Sequence, residues 1–310
     1  MEENVTNVPQ NSDVSVKNDP PKSRIRIGYV FLSVVPVAVL MAVQTLAQIP
    51  FLILSCVDVI KGTDPDSIDN FTVFLDAIMM TFNEKYTVYM YLVYSVVGLI
   101  IFSIWYIKGF VKKNPKVKIG EVFGVKSILA AVFTAVGLYF SVNALMILVE
   151  LVLPALIEMY NMMIEAAGVA TDTIIVVAYT ILLGPILEEL CFRGVTFAIL
   201  EKSGVKPRII ILISSLFFGA MHLIPVQVFY ATIVALFLGY LRYKYRSIMI
   251  TVVTHIIFNF FGAYVSGIFE NLGLGDGIML ILGGVALFIL VIAIVLVNGD
   301  KKAYKPLHNS

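Results

Sequence analysis

Two adjacent glutamates and an arginine, Glu188, Glu189 and Arg193, stand in the stretch GPILEELCFRG (184–194), within sequence that is otherwise mostly Ile, Leu, Val, Ala and Phe. A charge in hydrocarbon costs a few kcal/mol even on the gentlest scale, so an ionisable residue inside a membrane span is a functional candidate. Further along, FGAMH brings His222 and HIIFN brings His255 and Asn259. The chain has three histidines; these two lie in apolar runs and the third, His308, lies in the C-terminal tail. A carboxylate and an imidazole together can hold and deprotonate a water. A second imidazole with a carboxamide can donate hydrogen bonds to the oxyanion that develops at an amide carbonyl. That is a peptidase constellation without a Ser or Cys nucleophile. Glu188, His222 and His255 would equally satisfy a catalytic zinc with one open position. Spacing leaves a glutamate peptidase and a metallopeptidase both open.

On a helix, Glu189 and Arg193 are four residues apart and share one face, so they can pair. Glu188 lies about 100° round the helix and is free to face elsewhere. His255 and Asn259 project together from one face, and Phe218, four residues before His222, is placed to pack on its ring. At 1.5 Å per residue, Glu188 lies roughly 20 Å from Lys202, His222 roughly 20 Å from Arg208 and His255 roughly 12 Å from Arg246. The three groups therefore fall in one layer near the membrane middle, toward the cytoplasmic half. Each has a plainer structural reading. Glu189–Arg193 is most simply an ion pair, and a lone intramembrane His is a hydrogen-bonding staple. Gln44, Gln48 and Asn143 read as interhelical glue, and Cys191 as a small apolar filler. Convergence at common depth is what favours a site.

These residues need helices to carry them. The chain has 310 residues, 59% hydrophobic and only 14% charged, with a formal net charge of +1. Soluble domains run at about 45–50% apolar and about 25% charged, so this is an all-α polytopic membrane protein, and nothing in its charge points to nucleic acid. Its two cysteines, Cys56 and Cys191, sit in apolar runs and make no disulfide framework or zinc knuckle. A span needs about 20 apolar residues, and eight are expected at about 27–56, 87–107, 127–149, 173–200, 208–224, 227–241, 247–268 and 276–298. The fifth and sixth are short, with Pro225 expected to stop a helix between them. Gly184-Pro185 should kink the long fourth. Gly219 should let a neighbouring helix approach closely. KSRIR, KGFVKKNPKVK, EKSGVKPR, RYKYR and KKAYK alternate with acidic or neutral connections, which places both termini in the cytoplasm.

SIDNFTVFLDAIMMTF carries Ile68, Phe71, Leu75, Ile78, Met79 and Phe82 at helical spacing and reads as an amphipathic helix on the outer surface. LPALIEMYNMMIEAAG reads as a second. Residues 1–24 are expected to be a disordered cytoplasmic tail with no cleavable signal peptide. Residues 25–299 form the transmembrane domain, with the motifs inside 171–265, and 300–310 form a cytoplasmic C-terminal tail. The absence of an internal repeat weighs against a proton-coupled transporter.

The motifs EExxxR (Glu188, Glu189, Arg193), FxxxH (Phe218, His222) and HxxxN (His255, Asn259), in that order on consecutive spans, resemble the CPBP family of intramembrane endopeptidases. That family includes the type II CAAX prenyl endopeptidases and the Abi, or bacteriocin-immunity, proteins. The resemblance covers about residues 171–265. It implies an eight-helix fold with a conical intramembrane cavity open to the cytoplasm and laterally to lipid. It implies Glu188 as general base, His222 orienting the water, His255 and Asn259 stabilising the oxyanion, and Glu189, Arg193 and Phe218 supporting. The family is often labelled metalloprotease, yet its eukaryote-like members resemble glutamate peptidases, so no cofactor is expected and zinc is the alternative. The expected substrate is a membrane-associated peptide or protein cut near the cytoplasmic side of a bacterial cell membrane. Its alternative is a non-enzymatic immunity or scaffold role. The sequence sets no oligomeric state.

Overall fold

The computed structural model describes residues 25–62, 70–112, 122–166 and 174–303, which are mostly helical with no strand among them. Among the described residues, seven helical runs are long and apolar enough to cross a membrane: Ile27–Gly62, Phe71–Val111, Val125–Val152, Ile174–Lys202, Pro225–Tyr245, Ile248–Phe269 and Asp276–Gly299. An eighth apolar helix, Pro207–Ala220, is shorter. The protein is an all-α polytopic membrane protein, and these eight runs follow the expected order; they are called the first to eighth spans below. The expected tail 1–24 lies outside the described residues, as do Ile68 and residues 304–310.

Three details differ from expectation. The sixth span is full length, and Pro225 opens it instead of ending the fifth. A proline in the first helical turn gives up an N–H that has no partner there anyway. The fifth span stops at Ala220, and Leu223, at φ 62, turns the chain. Next, the surface helix Phe71–Thr81 is not a separate element. It is capped by Asn70, whose side chain accepts from the Thr72 N–H, and it runs through a π turn, Phe82–Tyr86, into Thr87–Tyr106. The second expected surface helix is present as Pro154–Ala166. Last, Asn143 donates to the Tyr139 carbonyl of its own helix (2.8 Å) and not across to a neighbour.

Lipid is as apolar as Leu, so spans associate through close packing, and small residues allow it. A Cβ on Gly219 would fall 2.0 Å from Thr232 Oγ1 and 2.6 Å from the Val228 carbonyl oxygen, so the fifth and sixth spans approach at that point as closely as backbone allows. Gly283 does the same for the eighth span on the third, where a Cβ would lie 2.2 Å from that of Ala144.

The span ends sort into two faces. On one, Arg26 N–H donates to the Ser203 carbonyl, Lys126 to the Gly299 carbonyl and Tyr245 to Asp300, and Lys202 lies over the Phe110 ring. Among the described residues this face is basic, with Glu201 and Asp300 as its acids. The opposite face carries Asp58, Asp76, Glu84, Glu150, Glu158 and Glu165 against Lys61 and Lys85.

Candidate active site

The motif segment of the fourth span is not a regular α-helix. A short α-helix, Gly184–Glu189, stands between two π turns, Tyr179–Leu183 and Leu190–Thr196. Such turns cluster at functional sites because they re-aim side chains within a helix. The first of them absorbs Pro185. Gly184 N–H reaches back five residues to the Tyr179 carbonyl. The next donor in that register would be Pro185, which has none. Its partner, the Thr180 carbonyl, takes the Asn259 side-chain amide instead, at 2.8 Å. The seventh span thus mends the backbone that Pro185 breaks.

The two glutamates part company as their spacing requires. Glu189 is fully buried and Arg193, four residues on, is fully buried with it, paired at 3.0 Å. Arg193 also donates to the Ala235 carbonyl of the sixth span (3.1 Å) and lies over the Phe218 ring, 4.6 Å from its centroid. Glu189 Oε1 takes a second donor that spacing did not reveal, His255 Nδ1 at 3.0 Å. Glu188 keeps 17% of its side chain exposed and faces His255 Nε2 at 3.7 Å. The seventh-span histidine therefore bridges both carboxylates, one through each nitrogen.

His222 sits in the turn after the fifth span, not within the helix. Its Nδ1 is 2.9 Å from the Phe218 carbonyl, and since a carbonyl only accepts, Nδ1 carries the hydrogen. Nδ1 of His255 likewise donates, to a carboxylate. Both rings keep Nε2 for chemistry. Phe218 is buried against both, with ring centroids 5.0 Å from His222 and 5.7 Å from His255.

Glu188, His222, His255 and Asn259 line one cavity of about 310 Å³, with Phe218 in its wall. Glu189 and Arg193 lie behind that wall. Sequence reasoning missed two sets of residues. Tyr91, Tyr94, Tyr179 and Tyr230 form an aromatic wall, with Tyr91 and Tyr179 stacked at 4.3 Å; the signal was tyrosine inside spans, a residue that is apolar along its ring and polar at its tip. Arg242, taken with the basic RYKYR loop, is in fact buried. Its Nε donates to the Arg193 carbonyl (2.9 Å), and it reaches Glu201 at 3.9 Å. Gln44 also lines the cavity.

The donor types at the site suit zinc, but their grouping does not. Among the described residues no three His, Cys, Asp or Glu side chains come together to hold a metal ion. Cys191, fully buried in the apolar core, offers no additional ligand.

Residues 170–261 match a family model described as type II CAAX prenyl endopeptidase Rce1-like, in agreement with the resemblance carried by the three motifs. No curated protein and no solved structure matches the chain.

Proposed function

We propose that this membrane protein is an intramembrane endopeptidase that hydrolyses a peptide bond with a water activated by Glu188 and His222. The observation that carries the reading is the meeting of four side chains, from the fourth and seventh spans and the turn after the fifth, in one small cavity. The match to a CAAX-type protease family over the same residues supports peptide hydrolysis as the reaction class.

Glu188 would take a proton from the water as it adds to the carbonyl carbon. His222, its tautomer fixed by the Phe218 carbonyl, would orient that water through Nε2. His255 would serve the oxyanion. To donate from Nε2 as well as Nδ1 it must carry a second proton, and the buried Glu189 carboxylate is placed to balance that charge. Asn259 spends one amide hydrogen on Thr180 and has a second for the same oxyanion. The proton held by Glu188 would then pass to the leaving amine. Glu189, Arg193 and Phe218 would position the two imidazoles. No metal enters this sequence of steps, and a substrate embedded in or resting on the bilayer is the expected partner.

Replacing Glu188 or His222 by Ala should each abolish cleavage of an internally quenched peptide by purified, folded protein. Normal cleavage by Glu188→Ala would sink the reading. Chelator-sensitive cleavage, with one zinc bound per chain, would keep the protease and overturn the mechanism in favour of Glu188, His222 and His255 as zinc ligands.

A further inference from the structure

We propose that the active-site cavity receives its substrate from the acidic face of the protein, the extracytoplasmic side, and acts on peptide segments presented there instead of on cytoplasmic tails. What is cleaved rests on the peptidase reading; where it enters rests on the cavity and the charges. This departs from the cytoplasmic opening that the family resemblance implies.

Elements at the acidic end wall the cavity. Ile164, from the surface helix Pro154–Ala166, lines it. So do Met221, His222 and Ile224 of the turn between the fifth and sixth spans. The Tyr160 hydroxyl of the same surface helix lies 3.4 Å from that of Tyr230 in the cavity wall. That helix follows the third span at its acidic end and carries Glu158 and Glu165.

The fifth span is also short. Helix Pro207–Ala220 has 14 residues, so it rises about 21 Å through a hydrocarbon core of about 30 Å. Lys206 and Arg208 hold its start at the basic face. The shortfall, about 10 Å, therefore lies at its other end. The turn bearing His222 stops below the acidic surface and leaves a recess above it.

The cavity is closed toward the basic face. Glu189, Phe192, Arg193, Phe218 and Ala235 are buried and joined on that side: Arg193 pairs with Glu189, donates to the Ala235 carbonyl and lies over Phe218, which packs on Phe192. The large cavity on the basic side of these residues shares no lining residue with the catalytic one. Lys and Arg concentrate in cytoplasmic connections, so the basic face is cytoplasmic and the recess faces outward.

The test separates placement from activity. Leu223→Cys, exposed at the turn, and Lys206→Cys, on the basic face, are each made with Cys56 and Cys191 replaced by Ala. Both are expressed in bacterial cells and treated with a membrane-impermeant maleimide. Leu223→Cys should label in intact cells and Lys206→Cys only after permeabilisation. The reverse pattern overturns the proposal whatever the enzyme does. In the second arm, full-length protein sits in sealed proteoliposomes of known orientation, and an impermeant, internally quenched peptide library is added outside. Cleavage should be at least tenfold faster when Leu223 faces out than when Lys206 does. Cleavage confined to chains with Lys206 outward overturns the proposal. Absence of cleavage in both orientations and in detergent overturns the peptidase reading, and the labelling result then decides the placement.

Discussion

Among the described residues two cavities lie on either side of the buried Glu189–Arg193 pair, and the larger of them is not the one where reactive side chains meet. Toward the basic face, about 710 Å³ lies between the ends of the second, fourth, fifth, sixth and seventh spans, walled by Tyr106, Phe110, Phe197 and Tyr243 with Lys202, Glu201 and Arg242 at hand. Toward the acidic face, about 310 Å³ holds Glu188, both intramembrane histidines and Asn259. The difference is one of convergence. In the large cavity Arg242 is turned back into the protein, donating to the Arg193 carbonyl, and Lys202 lies on Phe110. Its charges serve the fold. In the small cavity His222 and Asn259 each have one end fixed by a backbone carbonyl and one end left for a ligand, which is what preorganised catalysis needs. Volume marks where long side chains splay at helix ends, whereas chemistry marks where several spans aim short polar reach at one point.

The sharpest way to break the comparison is to remove one carboxylate from each cavity. Glu188→Gln keeps the shape and loses the base, so turnover should fall by about 10²–10⁴-fold with the thermal midpoint in detergent unchanged. Glu201→Gln should change turnover less than about twofold, as expected of a partly exposed pair. Equal losses in both variants would show that the large cavity takes part in the reaction.

The buried layer between the cavities comes next. Glu189→Gln leaves Arg193 buried with no counter-charge, and breaking such a pair costs about 3–5 kcal/mol. Folded yield should drop more than the turnover of whatever folds. The turnover that remains should fall as well, since His255 loses the carboxylate that balances its second proton; a variant with parental yield and midpoint would show that the pair does not hold the fold. A smaller effect is expected at the hairpin that sets the depth of His222. Gly219→Ala drives a methyl onto Thr232 and the Val228 carbonyl, an overpacking worth about 1–3 kcal/mol. It should lower the thermal midpoint, and an unchanged midpoint would mean that the fifth and sixth spans can separate at little cost.

Much of the architecture was legible because the bilayer enforces it. Twenty-residue apolar runs, their order and the sorting of Lys and Arg all follow from solvent physics acting on composition. The Glu189–Arg193 pair and the packing of Phe218 on His222 were legible too, since both are four-residue spacings, the first within a helical run and the second running into the turn that ends one. What spacing does not encode is register between spans. Glu188 and Glu189 are adjacent and chemically alike, and only the packed seventh span decides that His255 bridges both. The π turns that flank the glutamates leave no periodicity in so uniformly apolar a stretch, so Pro185 read as a kink. Arg242 read as a loop charge because its neighbours Lys244 and Arg246 are basic. Its burial depends on Phe197 and Arg193 arriving from another span.

The smallest expected effect tests the large cavity alone. Lys202 is exposed, and the contact it makes there is over the Phe110 ring at 4.6 Å. It lines the large cavity and not the catalytic one. Substitutions at such surface positions usually stay within about 0.5 kcal/mol, so Lys202→Ala should leave kcat, KM and the thermal midpoint within about twofold or a degree of the parent. The value of so quiet a variant is its asymmetry with Glu188→Gln. The two residues stand on the same span, fourteen positions apart on either side of the buried Glu189–Arg193 layer. If that layer isolates the cavities, removing a charge below it cannot be felt above it. A tenfold rise in KM for Lys202→Ala would mean that substrate reaches the site through the basic face, and the isolation argued from the buried layer would fail.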